Sequence, residues 1–396
     1  MYNRTESILS KLCEDNWFVF GPRQTGKSTF LRQSFPQALY VDLLNSKQFR
    51  ELGTEPSSLQ SQIQAHLSKS EATPLVIIDE IQKLPSLLDA VQESMALSPN
   101  LRFLLTGSSP RKLRRAGTNL LGGRALWMNF HGLTTQEAIT WKEQGHSWQT
   151  LLLHGGLPSV LLAGNRRRKL RAYIDLYLQE EVAQEALVRN LPQFSRFLHF
   201  AGQTSGQQIV FEKVGSDCAM KGKTVRDWYD ILQDTLLGKF VPCFTATHKR
   251  KAVSTSKFYL FDVGVANYLK GISELEEGTK PWGDALEHLV YTELVAAIDY
   301  SDSEETISYW RSTSGAEVDF VVHRGDEPTC FIEVKARTTL TSHDLAGIRA
   351  LSEEFNGVPK YIVTRGAGAR LTDDGIWILP VEEFFHRLWD GKIVQG

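Results

Sequence analysis

A chain of 396 residues, 42% hydrophobic and 23% charged, has material for about two to four soluble domains and more than one core. Its net charge of −2 excludes a uniformly basic nucleic-acid coat and leaves room only for local basic patches. Cys13, Cys218, Cys243 and Cys330 form no CxxC pair, which argues against a zinc site or a disulfide framework and fits a reducing compartment.

The N-terminus has no apolar core like that of a signal peptide, and no run approaches the roughly 20 apolar residues that span a bilayer. A cytosolic protein with no membrane partner is expected.

The first element is Phe18-Val19-Phe20, a short run of β-formers. It is followed at once by Gly21-Pro22-Arg23-Gln24-Thr25-Gly26-Lys27-Ser28, which matches G-x4-G-K-[ST] and passes through Thr29 into a helical stretch. Glycines let the backbone curl so that its N–H groups face phosphate oxygens, and the helix N-terminus adds favourable potential. Lys27 is placed to reach the β- and γ-phosphates and Ser28 to ligate Mg²⁺.

Downstream, "PLVIIDE" (74–80) is an unbroken apolar run, as befits a strand buried on both faces, and it ends in two carboxylates. Asp79 is placed to hold Mg²⁺ through water, and Glu80 to polarise the attacking water. "ALYVDLL" (38–44) and "LRFLLTGSS" (101–109) supply further strands, the latter ending in Thr106 and Ser108, where a sensor of the γ-phosphate would sit. Together these predict a doubly wound parallel sheet over 1–132 with ATP at the strand ends. Arg124, after two glycines in "LLGGRALWMNF", is a candidate charge for the transition state, with Arg111, Arg114 and Arg115 as competitors.

From 133 to 200 the pattern is largely helical and predicts a helical lid. "HGGLPSV" breaks it, the basic run "NRRRKLR" (165–171) reads as a solvated helix start, and Leu170, Tyr173, Tyr177 and Val182 recur near helical period.

Residues 201–275 predict a winged helix. A turn at Lys221-Gly222-Lys223 leads into a helix with Val225, Trp228, Leu232 and Leu236 as its buried stripe. Two β-like runs follow, joined by a tip containing His248, Lys249, Arg250 and Lys251. The exposed face of that helix carries Arg226, Asp227, Asp230 and Gln233, a poor surface for phosphates. A basic wing touching nucleic-acid backbone is the expected contact, with pure packing or assembly as the alternative.

In 276–396, an amphipathic helix (283–300) precedes strand-like runs at 307–311, 317–324, 329–336 and 361–364, with a helical segment at 342–356. Glu333 and Lys335 are two apart and so share a strand face, and Asp319 meets them across a hairpin. Such a set, completed by Glu287 from the helix, suits an Mg²⁺ that activates water against a phosphodiester. Charges alternating on a solvent face would look the same.

The whole chain resembles a family of bacterial and archaeal AAA+ ATPases whose C-terminal region looks like a winged helix followed by a PD-(D/E)XK nuclease-like domain. The residues that carry the resemblance are "GPRQTGKST", "VIIDEIQKLP", "LLTGSS", "LLGGR", "GGLP", "KFYLFDVGVANYL", "GDALEHLVYTEL", "YWRSTSGAEVDFVV" and "IEVKA". It implies an α/β P-loop AAA+ core with a lid, a winged helix and a restriction-endonuclease-like domain. It also implies ATP and Mg²⁺ at Lys27, Ser28, Asp79 and Glu80, a trans-acting Arg124, and nuclease-like positions Glu287, Asp319, Glu333 and Lys335.

Ring-like, hexamer-like homo-oligomers acting on DNA are the further implication. Branch migration, translocation or ATP-gated cleavage would be the work. The alternative is a nucleotide-dependent switch whose C-terminal domains bind a protein partner while the nuclease-like site is inactive.

Overall fold

The structure, a computed structural model, describes residues 6–68, 74–111, 113, 121–141, 145–178, 190–247, 249–301 and 303–394. Arg114, Arg115, Val182 and His248 lie outside them. The chain divides into two compact units, one of Asn3–Gly132 with Asp234–Leu236, the other of Leu133–Gln233 and Leu237–Gly396.

The first unit is built on five parallel strands: β1 (Trp17–Phe20), β2 (Leu39–Asp42), β3 (Leu75–Asp79), β4 (Arg102–Gly107) and β5 (Leu126–Asn129). Their order across the sheet is β2-β3-β4-β1-β5. The apolar runs around Phe18–Phe20, Val76–Ile78 and Phe103–Leu105 are buried throughout, as a parallel sheet covered on both faces requires. Helices Lys27–Ser34, Ser46–Thr54, Ser58–Leu67 and Leu87–Leu97 do the covering. Asn45 caps the second of these, its side chain accepting from the N–H groups of Lys47 and Gln48. The order matters for function: β4 follows β3 in sequence but lies between β3 and β1, so its end is wedged between the glycine-rich loop and the Asp79-Glu80 pair.

The second unit holds two sheets. A three-stranded one, β6 (Gln207–Gln208), β8 (Lys257–Leu260) and β7 (Gly238–Val241) in that order, packs with helices Leu191–Gln203, Phe211–Asp217 and Gly222–Asp234 around Phe197, Trp228, Tyr229 and Phe258. The Gly222–Asp234 helix buries Val225, Trp228 and Leu232 as expected. Leu236 is not on it. Its φ of 61° is left-handed backbone, beyond the helix end, and Leu237 is the residue that turns back to bond Leu232.

A six-stranded mixed sheet follows, in the order β13 (Arg370–Leu371), β14 (Ile376–Pro380), β12 (Lys360–Thr364), β11 (Glu327–Lys335), β10 (Glu317–Arg324) and β9 (Thr306–Arg311). The 22-residue helix Lys280–Ser301 presses Leu286, Leu289, Val290 and Leu294 into the core on one face of this sheet. Helices from the region expected to be a lid share the same core through Trp148, Leu151 and Leu161, joined by Leu133 ahead of them. The segment between β7 and β8 runs beside β9: Phe244 N–H bonds Tyr309 O at 2.6 Å and Val253 N–H bonds Arg311 O at 3.0 Å.

Candidate active site

Lys27 begins its helix directly after Gly26, whose φ of 95° is open to glycine and strained for other residues. The backbone therefore curls as phosphate cradles do, with a helix N-terminus rather than a side-chain cap facing the ligand position. Lys27 is buried and its Nζ lies on the loop's own carbonyls, 2.6 Å from Gly21 O and 2.9 Å from Pro22 O. Thr25 Oγ1 also donates to Pro22 O, at 2.8 Å. Gln24 and Thr29 are exposed and Ser28 is half-buried.

Gly21 N–H reaches Gly107 O at 3.3 Å, joining the loop to the end of β4. There Thr106 Oγ1 donates to Asp79 Oδ1 and accepts from the Glu80 N–H at 3.4 Å. Asp79, nearly fully buried, takes a second bond on Oδ2 from Tyr40 OH at 2.6 Å. Burial, with the Asp79 carboxylate adding to it, holds the Tyr40 phenol far above its ordinary pKa, so Tyr40 is a donor at any working pH. Glu80 Oε2 accepts from Gln82 Nε2 at 2.6 Å, with Arg23 Nη2 3.9 Å away.

Tyr40 and Thr106 hold Asp79 and Gln82 holds Glu80, with Ser108 Oγ accepting from the same Gln82 Nε2 at 3.1 Å; no role was assigned to Tyr40 or Gln82 from sequence. Gln82 lies two residues past Glu80, and its polar side chain among Ile81 and Leu84 was the available signal.

Arg124 is exposed and precedes β5, whose first residue, Leu126, pairs with Trp17 at the start of β1. It therefore lies at the end of the sheet opposite the loop after Phe20, about 13 Å away for four strand residues. It does not come near that loop within the chain. Arg111 is largely buried and its Nη1 donates to Asp234 at 2.7 Å.

In the second unit Glu287, Asp319, Glu333 and Lys335 come together. Lys335 Nζ bonds Glu333 Oε1. Glu333 Oε2 accepts the Asp319 N–H at 3.2 Å, and Asp319 Oδ2 accepts the Val334 N–H at 2.8 Å. Burial first, then the charges of Glu333 and Glu287, push Asp319 well above the usual carboxylate range. Burial likewise lifts Glu333 to about 6 against the pull of Lys335.

Lys257, given no role in the sequence reading, joins them from β8: its Nζ is 3.1 Å from Glu287 Oε1 and 2.9 Å from Glu317 Oε1. Among the described residues no three Asp, Glu, His or Cys side chains are placed to hold a metal together.

Lys249 and Arg250 of the expected wing are engaged within the same unit. Their N–H groups donate to the Glu354 carboxylate, Lys249 Nζ reaches Glu353 O, and Arg250 Nη2 pairs with Glu353 at 2.8 Å. Lys251 is exposed. No helix among the described residues is long and apolar enough to cross a membrane.

Residues 14–139 match the family model described as AAA domain, and residues 145–276 and 282–384 match two domains of unknown function, DUF8612 and DUF4143. No curated protein matches the chain. Among solved structures it is similar to the Walker-type ATPase PABY2304 of Pyrococcus abyssi, at 18% identity over 68% of this chain and 96% of that one, TM-score 0.49.

It is also similar to the STAND protein with a tetratricopeptide repeat sensor PH0952 from Pyrococcus horikoshii, at 15% identity over 76% of this chain and 47% of that one, TM-score 0.28. A third is the replication initiator DnaA bound to AMPPCP and single-stranded DNA, at 12% identity over 58% and 86%, TM-score 0.29. The AAA domain match spans the glycine-rich loop, the Asp79-Glu80 pair and Thr106, and the chain is an ATP hydrolase with an AAA-type P-loop domain.

Proposed function

We propose that the protein is a Mg²⁺-dependent AAA-type ATPase acting as a nucleotide-dependent switch, with the second unit presenting its surface to a protein partner. The residues fit Mg-ATP: a helix N-terminus for phosphate, and Ser28 and Asp79 for the ion. Ser28 and Asp79 would hold the ion, whose positive charge would offset that of the phosphates. Lys27 leaves Gly21 O and Pro22 O for the phosphates, Glu80 orients the attacking water, and Thr106 reports the γ-phosphate to β4. Arg124 acts across a boundary in a ring-like, hexamer-like homo-oligomer, since its own loop is a strand's length away.

The observation that favours a switch is the fate of the basic tip. Lys249 and Arg250 are tied to Glu353 and Glu354, so their charge is offset inside the chain. The helix that would read DNA shows Asp227 and Asp230 beside Arg226.

A second reading, DNA remodelling by branch migration or translocation, draws support from the helix Arg166–Ala172, which exposes Arg167, Arg168, Lys169 and Arg171. ATP turnover measured alone and with linear duplex, single-stranded and branched DNA separates the two, with Lys27→Ala as the blank. Turnover indifferent to all three DNA forms supports the switch, and turnover raised by one of them replaces it with the DNA reading.

A further inference from the structure

The resemblance of the C-terminal region to metal-dependent nucleases implies an Mg²⁺ among Glu287, Asp319 and Glu333, and the residues do not fit one. We propose that the Lys257 ammonium takes the place of that ion, making the cluster a closed, metal-free ion-pair network that fastens β8 to the helix Lys280–Ser301 and to the six-stranded sheet.

Four observations carry this. Lys257 is 5% exposed and its Nζ lies between two carboxylates from different elements, Glu287 of the helix and Glu317 at the start of β10. Tyr259, two residues on and therefore on the same strand face, donates its hydroxyl to the same Glu287 Oε1. The carboxyls of Glu287, Glu317, Asp319 and Glu333 are faced by Lys257, Lys335 and Arg311, the last 3.3 Å from Glu317. Four of the oxygens a cation would use already accept bonds: both of Glu333, from Lys335 and the Asp319 N–H, Asp319 Oδ2, from the Val334 N–H, and Glu287 Oε1, from Lys257 and Tyr259.

The backbone beneath Lys257 is held on both sides. β8 is the middle strand of its sheet, held by β6 on one side and β7 on the other. The segment before it is tied to β9 at Pro242 and Phe244 and again at Val253. Admitting a divalent ion would require the Lys257 ammonium to withdraw from both Glu287 and Glu317. A lysine that is buried stays charged only beside carboxylates, and here burial is overcome chiefly by Glu287. The cluster thus serves cohesion of the second unit, whichever partner the ATPase works on, and its test does not depend on that reading.

The experiment titrates Mn²⁺ into the nucleotide-free full chain, as wild type, Asp319→Asn, Lys257→Ala and Lys257→Ala/Asp319→Asn. Expected is no Asp319-dependent site in the wild type, a new site in Lys257→Ala, and its loss in the double variant. A wild-type Mn²⁺ site that Asp319→Asn removes would overturn the proposal, as would a folded Lys257→Ala chain that gains no site.

If Lys257→Ala does not fold, the melting temperatures of Lys257→Met, Glu287→Gln and the pair decide. Removing both charges together is expected to restore most of what Lys257→Met alone loses, because a lone buried Glu287 charge is the main damage. Simply additive losses would show that the two do not form one network.

Discussion

Gln82 Nε2 donates to Glu80 Oε2 at 2.6 Å and reaches Ser108 Oγ at 3.1 Å, so the carboxylate proposed to orient the attacking water is held from beside it. Glu80 itself sits in left-handed backbone, φ 63° and ψ 44°, which aims its side chain out of the strand direction of β3. Without Gln82 that carboxylate would swing on its own rotamers.

Gln82→Ala is therefore expected to lower kcat for ATP about tenfold, the worth of one charge-assisted hydrogen bond, with KM little changed. Glu80→Gln should lose about a hundredfold or more while nucleotide still binds. A Cβ at Gly107 would collide with Gln82 Oε1 and the Phe20 ring, so Gly107→Ala should reproduce the kcat defect and also lower the melting temperature. Steady-state kinetics of the three variants check this, and an unchanged kcat in Gln82→Ala would remove Gln82 from the site.

Tyr40 and Thr106 supply the two donors that fix Asp79. Tyr40→Phe should raise the Mg²⁺ concentration needed for half-maximal turnover several-fold, with the maximal rate largely kept. Adding Thr106→Ala should do more than the sum of the single changes, because each hydroxyl covers for the other. Magnesium titrations of turnover in the single and double variants make the measurement.

If Arg124 acts on a neighbour's nucleotide, subunits lacking Arg124 and subunits lacking Lys27 should complement. Mixing inactive Arg124→Ala with inactive Lys27→Ala is expected to recover turnover well above either alone. No recovery at any mixing ratio would mean that Arg124 does not act in trans.

Glu293 is buried in the second unit, where it accepts Thr135 N–H at 2.9 Å, Thr135 Oγ1 at 2.7 Å and Trp389 Nε1 at 2.7 Å. Burial nevertheless pushes its carboxyl up to about 7. A carboxyl raised on folding binds more protons in the folded state, so its contribution is greatest at low pH and declines as pH climbs from about 4.5 to 7. That loss amounts to roughly 3 kcal/mol at most. Glu293→Gln should flatten the melting temperature between pH 5 and 8 and exceed the wild type at pH 8. A wild type equally stable across that range would contradict the assignment.

The loop from Gly21 to Ser28 and the acids at the end of β3 were legible because each is a short contiguous pattern whose chemistry is local. Glycine, lysine and serine do their work within one turn, and an apolar run ending in Asp-Glu reads as a strand end wherever it falls. The helix Lys280–Ser301 and strands β9 to β12 were legible for the same reason, as periodicity. Strands β13 and β14 and the helix Val381–Trp389 were not read, and Leu236 was placed on a helix that ends before it. Helix ends depend on single backbone dihedrals that composition does not record.

The sequence by itself determined that a triphosphate-binding loop and an acidic strand end exist, since both follow from neighbours along the chain. Only the tertiary structure decided what holds them. Thr106 meets Asp79 because β4 inserts between β3 and β1, an order that parallel strands joined by crossovers can take in several ways.

Lys257 reads as one more residue in a strand. It becomes the counter-charge of Glu287 and Glu317 only when β8 is laid against the helix and sheet that carry them. Lys249 and Arg250 read as a free basic tip until Glu353 and Glu354, about a hundred residues on, are brought beside them. Charge along a chain is local information, but its neutralisation is a property of packing.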